Sequence, residues 1–331
     1  MYGAQLKFGI ARQTAGGTAV SAPNSFHGLP LLSEDVGLEK AELISQNLIG
    51  KFEQGAVYSG VAKINGTIAF EATPKNLLVA LASCVNWNPT QTNSGSGLAT
   101  YTFLPNTQDF DGTYCKAPFT IYKQFTDANS AEQFYDCQMG QLELNVSQGQ
   151  FLKGKLTVSG GVRAATGVGS AAIGALSADV GQLFPWNVGS ISLGGVAVGQ
   201  YSDLTITLNE NIDSLYTING TLAPFKYTRT GFREVTVKAT LYMNDRSALN
   251  AFAAETQQQL LLTLINTKTA VQSGYFNKLL IDIPQLKITA FKPGASGPGE
   301  VSVDLTGRGV LDPTSNYAIQ FQLTNTYQAG V

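Results

Sequence analysis

Two distant segments of this chain repeat each other. GVAKINGTIAFEATPKNLLVALAS starts at Gly60 and GFREVTVKATLYMNDRSALNAFAA starts at Gly231, an offset of 231 − 60 = 171 residues. At that offset Ile64 meets Val235, Ile68 meets Ala239, Phe70 meets Leu241, Leu78 meets Leu249 and Leu81 meets Phe252. A long internal repeat constrains the fold strongly, because each copy has to be the same supersecondary unit. Each copy opens with apolar residues at every second position, the period of a strand with one buried face. A polar break and a short helix follow. In the first copy Thr73 is placed to cap the helix, with Pro74 at the first helical position, where its missing N–H costs nothing. In the second, Asn244 is the cap and Asp245 sits favourably in the first turn.

Further matches extend the duplication. MGQLELNVSQGQFLKGKLTVSGGV resembles IPQLKITAFKPGASGPGEVSVDLTGRGV, with Leu142 set against Leu286 and Leu144 against Ile288. Both read as strand, Gly-containing turn, strand. PLLSEDVGLEKAELISQNLIG from Pro30 resembles YSDLTITLNENIDSLYTINGT from Tyr201 more weakly. The expectation is a mainly β chain of two tandem homologous domains, each a sandwich or barrel-like unit with one short flanking helix. The first spans 1–163 with an insertion at about 85–118, whose NPTQTNSGSG stretch reads as a flexible surface loop. A Gly/Ala-rich linker covers 164–182, and the second domain covers 183–331. Residues 43–59 and 215–230 form long irregular connections where a hairpin needs two to five residues, and long loops of this kind are usually functional.

The chemistry of an enzyme is missing. The 331 residues hold one histidine, His27, and three widely spaced cysteines, Cys84, Cys115 and Cys137, which spell neither a disulfide framework nor a zinc site. GQFLKGKL from Gly149 departs from a phosphate loop in its last residue, and a strand follows where a helix is required. Asp109 and Asp111 in DFDG lack the other ligands of a calcium loop. No cofactor or metal is expected. Charged residues make up only 13% of the chain and the net charge is −2. That gives no basic stripe for phosphate binding, although Lys226 to Arg233 holds three cations. The N-terminus lacks the pattern of a secretory signal, and no stretch has the 18 apolar residues of a spanning helix.

The order of these parts resembles that of the tandem-domain tail tube (major tail) proteins of long-tailed bacteriophages. It runs from MYGAQLKFGIARQTAGGTAV through LSEDVGLEKAELI and the capped helix to FTIYKQFTDANSAEQFYDCQMGQLELNV. The resemblance covers nearly the whole chain and is strongest across 119–163 and 201–256. It implies a non-enzymatic virion protein, made in the host cytoplasm, whose chains form homotrimeric, pseudo-hexameric rings. These rings stack into a tube for genome ejection, with other tail proteins at its ends, no membrane, and viral DNA passing through without specific binding. On that reading the carboxylates expected to face the lumen are Glu34, Asp35, Glu39, Glu42, Asp203, Glu210 and Asp213. The residues expected to stack rings are Gly50, Phe52 and Tyr58 in one loop and Pro224, Phe225 and Tyr227 in the other. The alternative is a carbohydrate-binding or adhesive β-sandwich, with Tyr101, Tyr114, Phe119 and Tyr122 as a sugar platform.

Overall fold

The fold is seen in a computed structural model. It describes residues 6–20, 26–47, 53, 55–93, 97–125, 131–164, 182–197, 201–218, 220–242, 247–272, 275–294 and 301–326. The chain is mainly β, as its periodicity predicts. The first half runs β1 (Lys7–Arg12), β2 (His27–Gly28), β3 (Ser33–Glu34), β4 (Gly37–Ile44), β5 (Val57–Glu71), α1 (Pro74–Cys84), β6 (Thr90–Asn93), β7 (Ala99–Phe103), β8 (Phe119–Gln124), β9 (Ala131–Cys137), β10 (Met139–Ser147), β11 (Lys153–Ser159) and β12 (Val162–Arg163). The second half runs β13 (Gly189–Leu193), β14 (Val196–Ala197), β15 (Tyr201–Asn209), β16 (Ile212–Leu215), β17 (Lys226–Arg229), β18 (Glu234–Tyr242), α2 (Ser247–Ala253), β19 (Gln257–Gln272), β20 (Tyr275–Gly294), β21 (Ser302–Gly309) and β22 (Gln320–Asn325).

The strands that alternate most cleanly in sequence form the spine of one large antiparallel sheet. Its central order is β20-β21-β18-β15-β10-β11-β5-β3, with β4 continuing the β3 edge along β5. Alternate residues of the central strands reach the core: Ile64, Ile68 and Phe70 in β5, Leu142 and Leu144 in β10, Leu204, Ile206 and Leu208 in β15, and Val235, Val237 and Ala239 in β18. One hydrophobic cluster includes all of these residues, so a single core runs beneath both halves. A five-stranded sheet, β12-β9-β8-β1-β2, supplies Phe8, Ile10, Phe119, Ile121 and Phe134 to the same cluster.

Helix α1 starts as its sequence predicts. The Thr73 hydroxyl accepts a hydrogen bond from the Asn76 amide at 3.2 Å, and Pro74 occupies the first turn. Leu77, Leu78 and Leu81 are buried, and so are Val79, Ala80 and Ala82. The helix is therefore enclosed on all sides, not merely laid against a sheet. The caps expected at Asn244 and Asp245 and most of the linker, residues 165–181, fall outside the described residues.

The insertion is more ordered than its composition suggests. Within NPTQTNSGSG, residues Thr90–Asn93 form β6 and pair with β7. Strand β7 in turn pairs with β22 near the C-terminus, Phe103 opposite Phe321 and Tyr101 opposite Leu323. The polar residues of TQTN carry no apolar alternation, so a strand there is invisible until its partner is known.

Candidate assembly edges and the polar face of the sheet

Strand pairing in the two halves follows a common pattern. The block β10-β11-β5-β4 and the block β20-β21-β18-β15 have the same order and orientation. Each also carries the same irregularity. The β10 ladder is bulged between Met139 and Gln141, opposite Val158 and Thr157, and the β20 ladder between Ile288 and Ala290, opposite Gly307 and Thr306. Superposing the bulges sets Met139 on Ile288 and Leu142 on Phe291, an offset of 149. This corrects the alignment of Leu142 with Leu286. Apolar residues recur at alternate positions in both copies, so residue matching admits more than one register and the shared bulge selects this one. For the flanking strand the offset is 170: Leu38 opposes Ile64 as Leu208 opposes Val235.

The two blocks are joined by main-chain pairing. Strand β10 of the first lies antiparallel to β15 of the second, from Gln141 opposite Asn209 to Ser147 opposite Asp203. At this seam Leu142 faces Leu208, both buried, and Asn145 donates to the Thr205 hydroxyl at 2.9 Å and to Asp203. The Ser147 hydroxyl also donates to Asp203.

The face opposite the core is polar. By strand parity it carries Lys63, Lys153, Lys155, Lys238, Lys287, Lys292 and Arg308, and it carries Asp35, Glu39, Glu71, Glu143, Asp203, Glu234 and Asp304. Between them stand Asn65, Thr67, Asn145, Thr205, Thr207, Thr236 and Thr306. Seven cations against seven anions leave this face near neutral.

The seven carboxylates read from sequence separate into three places. Asp35, Glu39 and Asp203 are on the polar face. Glu42 and Asp213 are exposed further out, in β4 and β16. Glu34 and Glu210 stand on the core side. Glu34 accepts from Lys123 Nζ at 2.8 Å, and Lys123 also donates to the Val36 carbonyl at 2.6 Å. This pins the corner between β3 and β4. The corner presses on β5 so closely that a Cβ on Gly66 would lie 2.5 Å from Val36 Cα, and the φ of +144° there suits glycine alone.

Glu210 is completely buried and faces Lys116 at 3.1 Å, Arg233 at 3.0 Å and Arg229 at 3.4 Å. Burial raises its pKa, but Lys116, Arg233 and Arg229 outweigh burial and hold it below the ordinary value. Arg229 continues to Asp109 at 2.8 Å and Arg233 to the Asn106 carbonyl at 2.7 Å. Two cations of the Lys226–Arg233 group are thus committed within the chain, tying the insertion to β17. Residue types gave no sign of this pairing, because Lys116 and Glu210 are 94 positions apart.

The connections expected to be irregular at 43–59 and 215–230 are partly strand, because backbone pairing extends into them: β4 pairs with the first part of β5, and β16 with β17, as two hairpin arms. They touch, since the Ala62 amide donates to the Leu222 carbonyl at 3.0 Å and the Tyr216 hydroxyl to the Ala62 carbonyl at 3.1 Å. Together they expose Leu43, Val57, Tyr58, Leu215, Ile218, Leu222 and Phe225. Pro224 is half-buried, and Gly50 and Phe52 lie outside the described residues. Tyr227 points inward, 2% exposed, with its ring stacked on Tyr114 at 5.4 Å.

Other sequence features resolve into structural roles. Asp111 accepts from the Thr113 and Tyr114 amides, an Asp-anchored turn. Among the described residues no group of three His, Cys, Asp or Glu side chains could hold a metal ion. Tyr101, Tyr114, Phe119 and Tyr122 are all buried, which removes the proposed sugar platform. No described helix is long and apolar enough to cross a membrane.

Comparison with known families gives a match over residues 3–309 to the family described as phage tail tube protein. No curated protein matches the chain.

Proposed function

The chain belongs to the phage tail tube family, and from that premise we propose that three copies form a pseudo-hexameric ring and that rings stack into a conduit for the genome. A tail tube protein is a structural component of the virion tail, and the finer statement rests on one observation. Two equivalent four-strand blocks lie edge to edge in a single sheet, with β3 and β4 counted as one broken strand. Three such chains place 3 × 2 = 6 blocks and 3 × 8 = 24 strands around an axis. With strands about 4.8 Å apart and tilted by about 40°, a closed barrel of 24 has a backbone diameter of roughly 48 Å. After side chains are allowed for, that lumen is wider than a DNA duplex. On this reading the two homologous domains, 1–163 and 183–331, are the two blocks with their flanking elements.

The lumen wall is then the polar face. Its near-balance of charge suits a channel in which DNA slides, since phosphate binding grows with each uncompensated cation. Asp35, Glu39 and Asp203 belong to this wall, with Glu143, Glu234 and Asp304 beside them.

The testing experiment is electron microscopy of the purified chain at high concentration and beside phage tails. Stacked rings with three-fold symmetry and six lobes are expected. Rings of six whole chains would remove the pseudo-hexamer, and a persistent monomer would remove the tube.

A second measurement probes the wall. Glu143→Lys with Asp304→Lys shifts the net charge by +4 per chain without touching the core. Tubes of this variant are expected to bind duplex DNA at low salt and release it as salt rises, while wild-type tubes bind little. Equal binding by both would place the polar face elsewhere than the lumen.

A further inference from the structure

A groove of about 860 Å³ is lined mainly by three segments: the end of β17 with its connection to β18, the end of β21 with the residues after it, and the residues that follow β7. Among its described lining residues every charged side chain is an arginine, namely Arg229, Arg233 and Arg308. Beside them Phe232 is 94% exposed, and Leu104 and Leu311 are exposed as well. We propose that this groove binds a carboxylate that carries an apolar group, the acid on the arginines and the apolar group on Phe232, Leu104 and Leu311.

The ion pairs around the groove do not balance. Lys116, Arg229 and Arg233 are joined to Glu210 and Asp109, three cations to two anions. Lys116 and Glu210 are enclosed, so solvent does little to screen the surplus on the inner side. Arg308 meets Glu234 at 3.5 Å, with its own side chain more than half exposed. One further anion on the groove makes the network neutral.

Hydrogen-bond donors are in surplus too. Arg229 gives Nε to Glu210 and Nη1 to Asp109, and its Nη2 is buried with no acceptor among the described residues. Asn106 Nδ2 is in the same state. Arg233 gives Nε to Glu210 and Nη2 to the Asn106 carbonyl, which leaves Nη1. Buried donors in folded proteins have acceptors as a rule, and those left over call for one more. A carboxylate is all acceptor, and its two oxygens match the planar fork of a guanidinium. An inorganic oxyanion would satisfy the arginines and leave Phe232, Leu104 and Leu311 in water, whereas an apolar group on the carboxylate covers them. Such a ligand comes either as a free organic acid or as an acidic side chain with an apolar neighbour on a second copy of the chain. The site itself does not depend on the tube reading.

Fluorophenylacetate, titrated into the soluble chain at constant ionic strength and followed by fluorine NMR, is expected to saturate at one site per chain. Arg308→Gln is expected to weaken binding about tenfold, the effect of losing one charge-assisted hydrogen bond. Phe232→Ala is expected to weaken it about tenfold as well, while the inhibition constant of acetate, which has no large apolar group, stays that of the wild type. Both side chains are more than half exposed, so the urea midpoints of the two variants should match the wild type. Binding that does not saturate, or that Arg308→Gln leaves unchanged, would overturn the site. Inorganic phosphate displacing the probe at lower concentration than phenylacetate does, or a Phe232→Ala chain that binds the probe normally, would overturn its carboxylate-plus-apolar character. The same titration on assembled tubes separates the two sources: tubes that bind the probe leave the groove to a free acid, and tubes that do not have it filled by a neighbouring copy. A chain that forms no tubes overturns the tube reading and leaves the result for the soluble chain standing.

Discussion

A Glu210→Ala chain is expected to unfold at a markedly lower urea concentration than the wild type, with a loss of about 3–5 kcal/mol. Glu210 is wholly buried, and Lys116, its closest partner, is 1% exposed on its side chain. Removing the carboxylate leaves an ammonium in the interior beside two guanidinium groups, with no water to solvate it. The cost is that of an unpaired buried charge, and it exceeds the net worth of the pair itself. Glu210→Gln keeps the shape and loses the charge, so it should behave nearly as badly; a Gln variant as stable as wild type would show that packing, and not charge, is what the residue supplies. The Glu234–Arg308 pair is the contrast. It is 3.5 Å long with both side chains about half exposed, and Glu234→Ala should change stability by no more than about 0.5 kcal/mol. Acid gives an independent check. The folded pKa of Glu210 lies below the ordinary 4.5, so its contribution is fully present above that value and is lost as pH falls through the depressed folded value. The stability gap between wild type and Glu210→Gln should therefore close only below pH 4.5.

Tyr58→Ser combined with Phe225→Ser is expected to stop tube growth while leaving the chain folded. The two rings are 67% and 55% exposed, on arms that touch each other and expose further apolar residues. Apolar surface of this kind on a polar protein marks a place where another surface sits. Covering one such aromatic contributes about 1.5–3 kcal/mol, and a three-chain ring presents 3 × 2 = 6 of them to its neighbour. Their loss is enough to make stacking too weak to propagate. Circular dichroism and the urea midpoint should be unchanged, because neither ring reaches the core. Tubes of normal length from this variant would place ring stacking elsewhere. Tyr227→Ser should act differently: it opens a hole against Tyr114 and lowers stability. The sequence groups Tyr227 with Phe225, and only the fold separates them.

That separation marks the limit of what residue order contains. The sequence by itself determined the cleanly alternating strands, because alternation at Ile64, Ile68 and Phe70 or at Val235, Val237 and Ala239 is a local pattern written in adjacent residues. It determined the start of α1, since Thr73 and Pro74 act within one turn. It showed a repeat at an offset of 171 residues and a single histidine, both of which are read by comparing and counting residues. The tertiary structure alone decided which strand lies beside which, and in what register. Every backbone offers the same N–H and C=O groups, so pairing between β10 and β15, or β7 and β22, leaves no mark on either strand. The bulges at Met139 and Ile288 show the consequence: aligning them gives an offset of 149, five more than the 144 of the residue match. Charges behave the same way. Glu34 and Glu210 read like Glu39 in a list of residues, yet strand parity turns the first two into the interior, and their cations come from β8 and from the insertion. A carboxylate carries its charge in the sequence, whereas its solvent and its partners exist only after distant strands have met.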